Sequence, residues 1–264
     1  MEGQLKVSAV QVSVQDGNID VNMANVERMA MKIAENEKGV DLILFHEACL
    51  ESGTPHEKFD EAVTERVVEF WKKIAAKTGS NILAGRLERR DGKIYNKATV
   101  FSPDGRILAD YAKIHLYNSE RDTIEPGDKL SIFELNGMKI GIMICADFGF
   151  PELSRKYATA GVDVLAVSSS WAYPDDDLWE ICNRARSSEN GIYVVSCDRT
   201  GPTSKGLVKV GRSMVCDPDG FILANLVEKT DTYYVQTIYK SEVDKRHQTM
   251  KWLEWIRPEL YPNL

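Results

Sequence analysis

Segments with the hydrophobic period of a β-strand alternate along the chain with segments that have the period of an α-helix. Residues 7–14 alternate apolar and polar positions like a strand, whereas apolar residues within 22–37 recur at the spacing of an amphipathic helix. Residues 41–45 are almost all apolar, as expected for a strand covered on both faces. Turn sequences such as Asp91-Gly92 and Pro103-Asp104-Gly105 separate segments of this kind. The pattern therefore predicts short strands interleaved with longer helices.

The same pattern continues to the C-terminus. The further predicted strands are 81–87, 95–102, 107–113, 138–144, 162–169, 193–197, 213–216, 221–226 and 233–239, with a hairpin turn at Asn136-Gly137. The further predicted helices are 59–78, closed by Gly79, one that begins near Pro151, 175–189 and 242–255. No Gly/Ser/Pro-rich linker divides the chain, so we predict one domain over 1–264 in the α/β class. It comprises a core of two facing sheets with outer helices over about 5–240, and a C-terminal helix and tail over 241–264.

Three segments of the first half recur in the same order in the second half. Residues 6–11 can be set against 139–144, 39–44 resemble 161–166, and 103–110 resemble 218–225. One interpretation is that good strand-entry and turn sequences simply recur. The other is that two similar β/α halves pack together as one sandwich.

Composition and charge narrow the possible partners. The formal charge is -7, from 33 basic and 40 acidic residues, which argues against a nucleic-acid partner because such a partner needs a basic surface. The N-terminal residues lack the basic and apolar regions of a signal peptide, and no apolar run is long enough to predict a membrane span.

The cysteines and histidines carry no metal-binding or disulfide pattern. The chain has five cysteines without a C-x-x-C pair, which predicts a reduced, cytoplasmic protein. The four histidines lack the spacing of metal ligands, so no bound metal or organic cofactor is expected.

Cys145 is the strongest candidate nucleophile among the five cysteines. It follows the predicted strand 138–144 and precedes the helix near Pro151, and a helix N-terminus lowers a thiol pKa and stabilises an oxyanion. The alternative is a small core residue. A thiol nucleophile needs a base, and His46 and His115 are the usual type of residue for that role.

Two charged residues are further candidates for a catalytic role beside Cys145. Glu47 follows the strand 41–45, and Lys113 ends the strand 107–113. With Cys145 they share a predicted location, the carboxyl ends of strands in one layer, where open α/β sheets bind ligands. The alternative for each is a solvated surface charge.

Five stretches together carry a family resemblance. They are 42–47 around Glu47, 111–116 around Lys113, 120–128 beginning with Glu120, 142–152 around Cys145, and 184–190 in the helix that follows. In this order they resemble the nitrilase superfamily of carbon–nitrogen hydrolases, from Lys6 to about Tyr261. The resemblance implies a four-layer α-β-β-α sandwich that forms homodimers or larger homo-oligomers. It also implies Glu47, Lys113, Cys145 and Glu120 as catalytic residues.

The same resemblance implies a mechanism. Glu47 would take the Cys145 proton, and the thiolate would attack a small linear amide or carbamoyl compound to give a thioester, ammonia and finally a carboxylate. Lys113 and a backbone N–H near Ala146 would hold the oxyanion. Glu120 would orient the substrate amide or Lys113. Mutual repulsion of the two carboxylates could keep one glutamate protonated near neutral pH.

Residues around the motifs suggest a substrate pocket. We predict Ala146, Trp171, Tyr117 and Phe150 as substrate-binding residues, although Trp171 fits a core tryptophan equally well. The family often has tyrosine or tryptophan at position 146 and arginine at 149. Ala146 and Gly149 leave more room there and one cation fewer for an acidic substrate tail.

Two other functions remain open at this stage. One is a nitrilase that attacks a nitrile with the same residues, although this chain is compact and nitrilases of the family tend to be longer. The other is a non-catalytic binding protein that has kept the fold. An amide of a dicarboxylic acid, a carbamoylated amine and a simple aliphatic or amino-acid amide are all possible substrates.

Overall fold

Two mixed six-stranded sheets face each other in the computed structural model, which describes residues 3–260. Residues 1–2 and 261–264 lie outside the described residues, and so do the end of the predicted tail and Tyr261, where the resemblance ends. In spatial order, the first sheet consists of β14 (Thr232–Tyr239), β1 (Gln4–Gln11), β2 (Leu42–Phe45), β3 (Asn81–Arg90), β4 (Lys93–Phe101) and β5 (Ile107–Ala112).

The second sheet repeats the order of the first. In matching spatial order it consists of β6 (Ile132–Leu135), β7 (Met138–Ile144), β8 (Val164–Ser169), β9 (Tyr193–Asp198), β12 (Met214–Cys216) and β13 (Ile222–Asn225). In both sheets the second, third and fourth strands are parallel and the outer pairings are antiparallel. The three repeated segments fall on β1 and β7, on β2 and β8, and on β5 and β13. The topology therefore agrees with the two-half interpretation.

Helices cover the outer face of each sheet. They are α1 (Ile19–Asn36) and α2 (Glu61–Thr78) on the first sheet, and α3 (Pro151–Thr159) and α4 (Asp176–Ser188) on the second. The predicted four-layer α-β-β-α sandwich is confirmed. Between the sheets, residues such as Leu44 and Ile142 belong to one continuous buried core.

Side-chain caps explain where the first two helices begin. The Asn18 side chain accepts a hydrogen bond from the Val21 N–H, and the Asp60 side chain accepts one from the Val63 N–H. Helix α1 consequently begins at Ile19, three residues before the predicted start. Helix α2 ends as predicted before Gly79, which has a left-handed φ of 68°.

The C-terminal prediction of one helix over 242–255 is wrong. The structure has α5 (Lys240–Thr249) and α6 (Trp252–Trp255), separated by Met250 in extended conformation. In one continuous helix, Leu253 would lie about 80° around the axis from the buried Val243. The break allows both side chains to pack against the core.

A second difference is a hairpin that the periodicity did not indicate. Strands β10 (Thr200–Pro202) and β11 (Val208–Val210) form a separate two-stranded sheet. Residues 199–211 are rich in polar residues, glycine and lysine, so they show no strand period. Within residues 3–260, no helix has both the length and the apolar composition that a bilayer span requires.

Candidate active site

Glu47 lies two residues after the end of β2 and is 6 % exposed. Its backbone N–H donates to the Ser169 carbonyl at the end of β8, 3.4 Å away. Beneath it, β3 approaches so closely that a Cβ on Gly85 would lie 2.6 Å from the Glu47 Cα. The position of Glu47 is therefore set by both sheets.

Lys113 follows β5 and is 1 % exposed. Its Nζ donates to Glu47 Oε1 and to Glu120 Oε2, each at 2.7 Å. An ammonium group has three N–H bonds, so these contacts leave one donor for another acceptor. The Gly127 N–H donates to the Lys113 carbonyl, which holds the backbone of the lysine in place.

Glu120 lies in a short 3-10 turn, Asn118–Asp122. Its Oε2 also accepts the Tyr117 backbone N–H at 2.8 Å, and its Oε1 accepts Asn96 Nδ2 at 3.0 Å. With Lys113, three donors hold this carboxylate. The arrangement suits a residue that orients Lys113 better than one that moves protons.

Asn96 is a member of this cluster that the motifs did not identify. It lies within β4 and is 2 % exposed, and its Nδ2 also donates to Glu47 Oε1 at 2.8 Å. Asparagine is uncommon inside strands. The signal that could have found it is an asparagine at the second position of the predicted strand 95–102.

Cys145 comes from the other sheet. It follows β7 in the 3-10 turn Cys145–Gly149 and has a φ of 43°, a strained conformation for a residue with a side chain. The prediction that Glu47, Lys113 and Cys145 share one layer is wrong, because the first two follow strands of the first sheet and Cys145 follows a strand of the second. The facing of the sheets brings the Cys145 thiol to the Glu47 carboxylate.

Asp147 fixes the nucleophile turn to the lysine segment. Its buried carboxylate accepts hydrogen bonds from the Ile144 N–H in the second sheet, and from the Tyr111 hydroxyl and His115 N–H beside Lys113 in the first. The Tyr111 contact is 2.7 Å. Asp147 thus sets the distance between the two halves of the cluster.

Arg186 on α4 supports the same turn from outside. Its Nε donates to the Phe148 carbonyl at 3.3 Å and its Nη2 to the Gly149 carbonyl at 3.4 Å, while Glu189 pairs with Nη1. These contacts explain physically why the helix segment 184–190 accompanies the cysteine segment.

The charges in the cluster place the proton on sulfur in the resting state. Burial and then the Glu47 carboxylate raise the pKa of Cys145 above its ordinary value, although Lys113 and the Ser170 N–H oppose them. Burial disfavours the Lys113 cation, but Glu47, Cys145 and Glu120 outweigh it and raise the pKa of Lys113.

The pKa of Glu47 is lowered. Burial alone would raise it, but the charge and hydrogen bond of Lys113 and the hydrogen bond of Asn96 prevail. Glu47 is therefore a carboxylate near neutral pH that is able to accept a proton, and it is not the glutamate expected to stay protonated.

Neither candidate histidine serves Cys145. His46 is buried, with Nδ1 3.1 Å from the Glu47 carbonyl oxygen and Nε2 3.4 Å from Cys49 Sγ. His115 Nδ1 lies 2.9 Å from Asp147. The acidic side chain that hydrogen-bonds to the Cys145 thiol is Glu47.

The four predicted pocket residues lie around the cluster in different environments. Ala146 follows the cysteine and is half-buried, and Trp171 packs on Trp179 with ring centroids 5.5 Å apart. Tyr117 is 60 % exposed, whereas Phe150 stacks on the His115 ring at 3.8 Å. Their contact with substrate stays a prediction.

No group of three or more histidine, cysteine or acidic side chains within residues 3–260 is arranged to hold a metal ion. The nucleophile, the carboxylate and the ammonium are all supplied by side chains. The cluster as it stands can carry out nucleophilic attack with proton transfer.

Comparisons with known proteins agree with this geometry. The model of the carbon–nitrogen hydrolase family matches residues 6–248. The chain is 32 % identical to a 2-oxoglutaramate amidase of Bacillus subtilis, over 83 % of this chain and 85 % of the relative, and 31 % identical to a nitrilase of Pyrococcus abyssi, over 89 % of each. A crystal structure of a carbon–nitrogen hydrolase from Helicobacter pylori superposes with a TM-score of 0.92 at 20 % identity, covering 99 % of this chain and 98 % of the other.

Proposed function

The chain belongs to the carbon–nitrogen hydrolase family, and on that premise we propose that it hydrolyses a small linear amide or carbamoyl compound to a carboxylate and ammonia. Glu47, Lys113, Glu120 and Cys145 carry the reaction. The observation that supports this proposal most strongly is the position of the Lys113 ammonium. It lies beside Cys145 and donates to two carboxylates, each at 2.7 Å, and its third N–H is left for a substrate oxygen.

Acylation begins when Glu47 takes the Cys145 proton as the sulfur attacks the carbonyl carbon. The carbon–sulfur bond forms, and the carbonyl electrons move to oxygen, where the free Lys113 N–H and a backbone N–H near Ala146 stabilise the charge. When the carbon–nitrogen bond breaks, Glu47 returns the proton to nitrogen and ammonia leaves.

Deacylation uses the same carboxylate. Glu47 takes a proton from water as the water oxygen attacks the thioester carbonyl, and Lys113 again holds the oxyanion. The carbon–sulfur bond breaks, Glu47 returns the proton to the thiolate, and the product acid releases its remaining proton to solvent and leaves as a carboxylate. Glu120 keeps the Lys113 ammonium in place throughout and exchanges no proton.

A second candidate is hydrolysis of a nitrile by the same residues. The relative named a nitrilase, 31 % identical to this chain, favours including it. We propose the amide first because several similar relatives are named amidases, among them the 2-oxoglutaramate amidase and an omega-amidase of Xenopus laevis. The substrate is a small molecule in both cases. A cytoplasmic location and assembly into homodimers or larger homo-oligomers stay predictions.

Ammonia release from a panel of amides, carbamoyl compounds and nitriles tests the proposal, with wild type compared with Cys145→Ala. We expect turnover of an amide or carbamoyl compound by wild type and a loss of at least about 10⁴-fold in the variant, because the covalent step has no other nucleophile. The buried Cys197, which donates to the Val10 carbonyl, offers a matched control, and Cys197→Ala should retain turnover.

Three results would contradict the proposal. Release that persists in Cys145→Ala would overturn the assignment of the nucleophile. Turnover restricted to nitriles would favour the second candidate, and the absence of turnover with every compound would favour a binding protein.

A further inference from the structure

Asn96 is the one side chain that touches both glutamates of the cluster besides Lys113, among the residues that the structure describes. Its Nδ2 lies 2.8 Å from Glu47 Oε1 and 3.0 Å from Glu120 Oε1. An amide NH₂ has two N–H bonds, so each carboxylate takes one. Because carboxylates only accept hydrogen bonds, these neighbours also determine that Nδ2 and not Oδ1 faces them.

The backbone of Asn96 holds the third member of the cluster. The Lys113 N–H donates to the Asn96 carbonyl at 2.8 Å. One buried residue of β4 is therefore bonded to the segment of each charged residue that comes from the first sheet. Such a position is typical of a residue that sets the geometry of its neighbours.

The two carboxylate oxygens of Glu47 differ in their hydrogen-bond contacts. Oε1 accepts both Lys113 Nζ and Asn96 Nδ2, whereas no nitrogen of the described residues donates to Oε2. The Cys145 thiol interacts with this same carboxylate. Oε2 is consequently the oxygen that is free to receive the thiol proton.

From this geometry we propose that Asn96 is a positioning residue that orients Glu47 so that Oε2 is the base toward Cys145. The torsion of a terminal carboxylate is broad, and a single donor at Oε1 leaves the plane of the group free to rotate. Asn96 supplies the second donor that fixes it. This inference rests on the proposed function of Glu47 and Cys145.

The test uses the pH dependence of kcat/KM of Asn96→Asp. The variant is nearly isosteric but places an acceptor against two carboxylates, which raises the pKa of Glu47. A base must be deprotonated, so a higher pKa moves the acid limb of the profile to higher pH. We expect a shift of about one pH unit or more, and a loss of about 100-fold at pH 7.

Asn183→Asp is the matched control. Asn183 is also fully buried, and its Nδ2 donates only to the Trp179 carbonyl within α4. It should keep the acid limb of wild type even if the chain is less stable. An unshifted limb in Asn96→Asp, with turnover that still depends on Cys145, would overturn the positioning role.

A crystal structure of Asn96→Ala gives a readout that does not require turnover. We expect the Glu47 carboxylate to rotate away from its present plane. A carboxylate that keeps its orientation and its contact with Lys113 would overturn the inference, even with an inactive protein. If wild type itself showed no turnover that depends on Cys145, the proposed function would be contradicted instead. Failure of the proposed function is therefore distinguishable from failure of the positioning role.

Discussion

At the scale of single residues, the charges of the cluster keep the proton on the Cys145 sulfur and not on the Glu47 carboxylate. Burial and the Glu47 charge raise the pKa of Cys145, and Lys113 with Asn96 lowers that of Glu47. Proton transfer before a substrate arrives is therefore unfavourable. On the proposed mechanism, a thiol that stays neutral until substrate arrives is protected from other reactions, because the thiolate is the reactive form.

Replacement of Glu47 by glutamine tests the assignment of the base. Glu47→Gln keeps the shape of the side chain but removes its ability to take a proton, and a general base contributes about 10²–10⁴-fold to the rate. We expect kcat to fall by that factor. Glu51→Gln is a matched control, because Glu51 is also fully buried and lies only four residues away. Activity of Glu47→Gln above about a tenth of wild type would mean that another group is the base.

At the scale of elements, the cluster depends on strands that approach more closely than ordinary side chains allow. Gly85 in β3 faces the end of β2, where an added Cβ would lie 2.3 Å from the His46 carbonyl oxygen and 2.5 Å from Ser168 Oγ. Ser168 in turn donates to the Phe45 carbonyl at 2.9 Å and joins the two sheets there. A glycine is thus required where β2, β3 and β8 converge under Glu47.

Gly85→Ala should disturb both stability and the position of Glu47. The new Cβ cannot be accommodated without moving backbone, and overpacking of this kind costs about 3 kcal/mol, equivalent to a fall in Tm of roughly 5–10 °C. Thermal unfolding and kcat measure the two effects. Gly149→Ala is the control for Tm, since a Cβ on Gly149 would have no neighbour within 4 Å. Equal Tm values for the two variants would contradict the close approach.

At the scale of the whole molecule, the two halves complete a site that neither forms alone. The first sheet carries Glu47, Lys113 and Glu120, and the second carries Cys145. Asp147 and Ser168 bond across the interface between them. Burial of ionisable groups in this interior also makes folding depend on pH. Burial, then the charge of Arg199, lowers the pKa of His46 to about 3.

Unfolding at two pH values tests this dependence. An unfolded His46 takes up a proton below about pH 6.5, but the folded one does so only near pH 3, so acidification favours the unfolded chain. Between pH 7 and pH 5 this histidine should reduce the free energy of unfolding by about 2 kcal/mol. Urea titrations of wild type and His46→Asn should therefore differ in that pH-dependent loss. The same loss in both proteins would show that His46 is not kept neutral by folding.

Patterns within short windows of sequence were sufficient for much of this protein. Hydrophobic periodicity identified the principal strands and helices, because the period of a strand or helix is a local property. The recurrence of segments such as 39–44 and 161–166 pointed to two matched halves. The family resemblance of the motif stretches singled out Glu47, Lys113, Glu120 and Cys145, and the first, second and fourth of these also stand at predicted strand ends.

Contacts between distant segments determined the rest. The pairing of Asn96 with Glu47, the placement of Cys145 opposite the first sheet, and the bonds of Asp147 all join residues from different elements. No local period encodes them. The break between α5 and α6 and the β10–β11 hairpin likewise follow from what each segment packs against. The sequence alone therefore determined the principal elements and the chemical groups. The tertiary structure decided which carboxylate oxygen, thiol and ammonium lie together, because that depends on how the two sheets face each other.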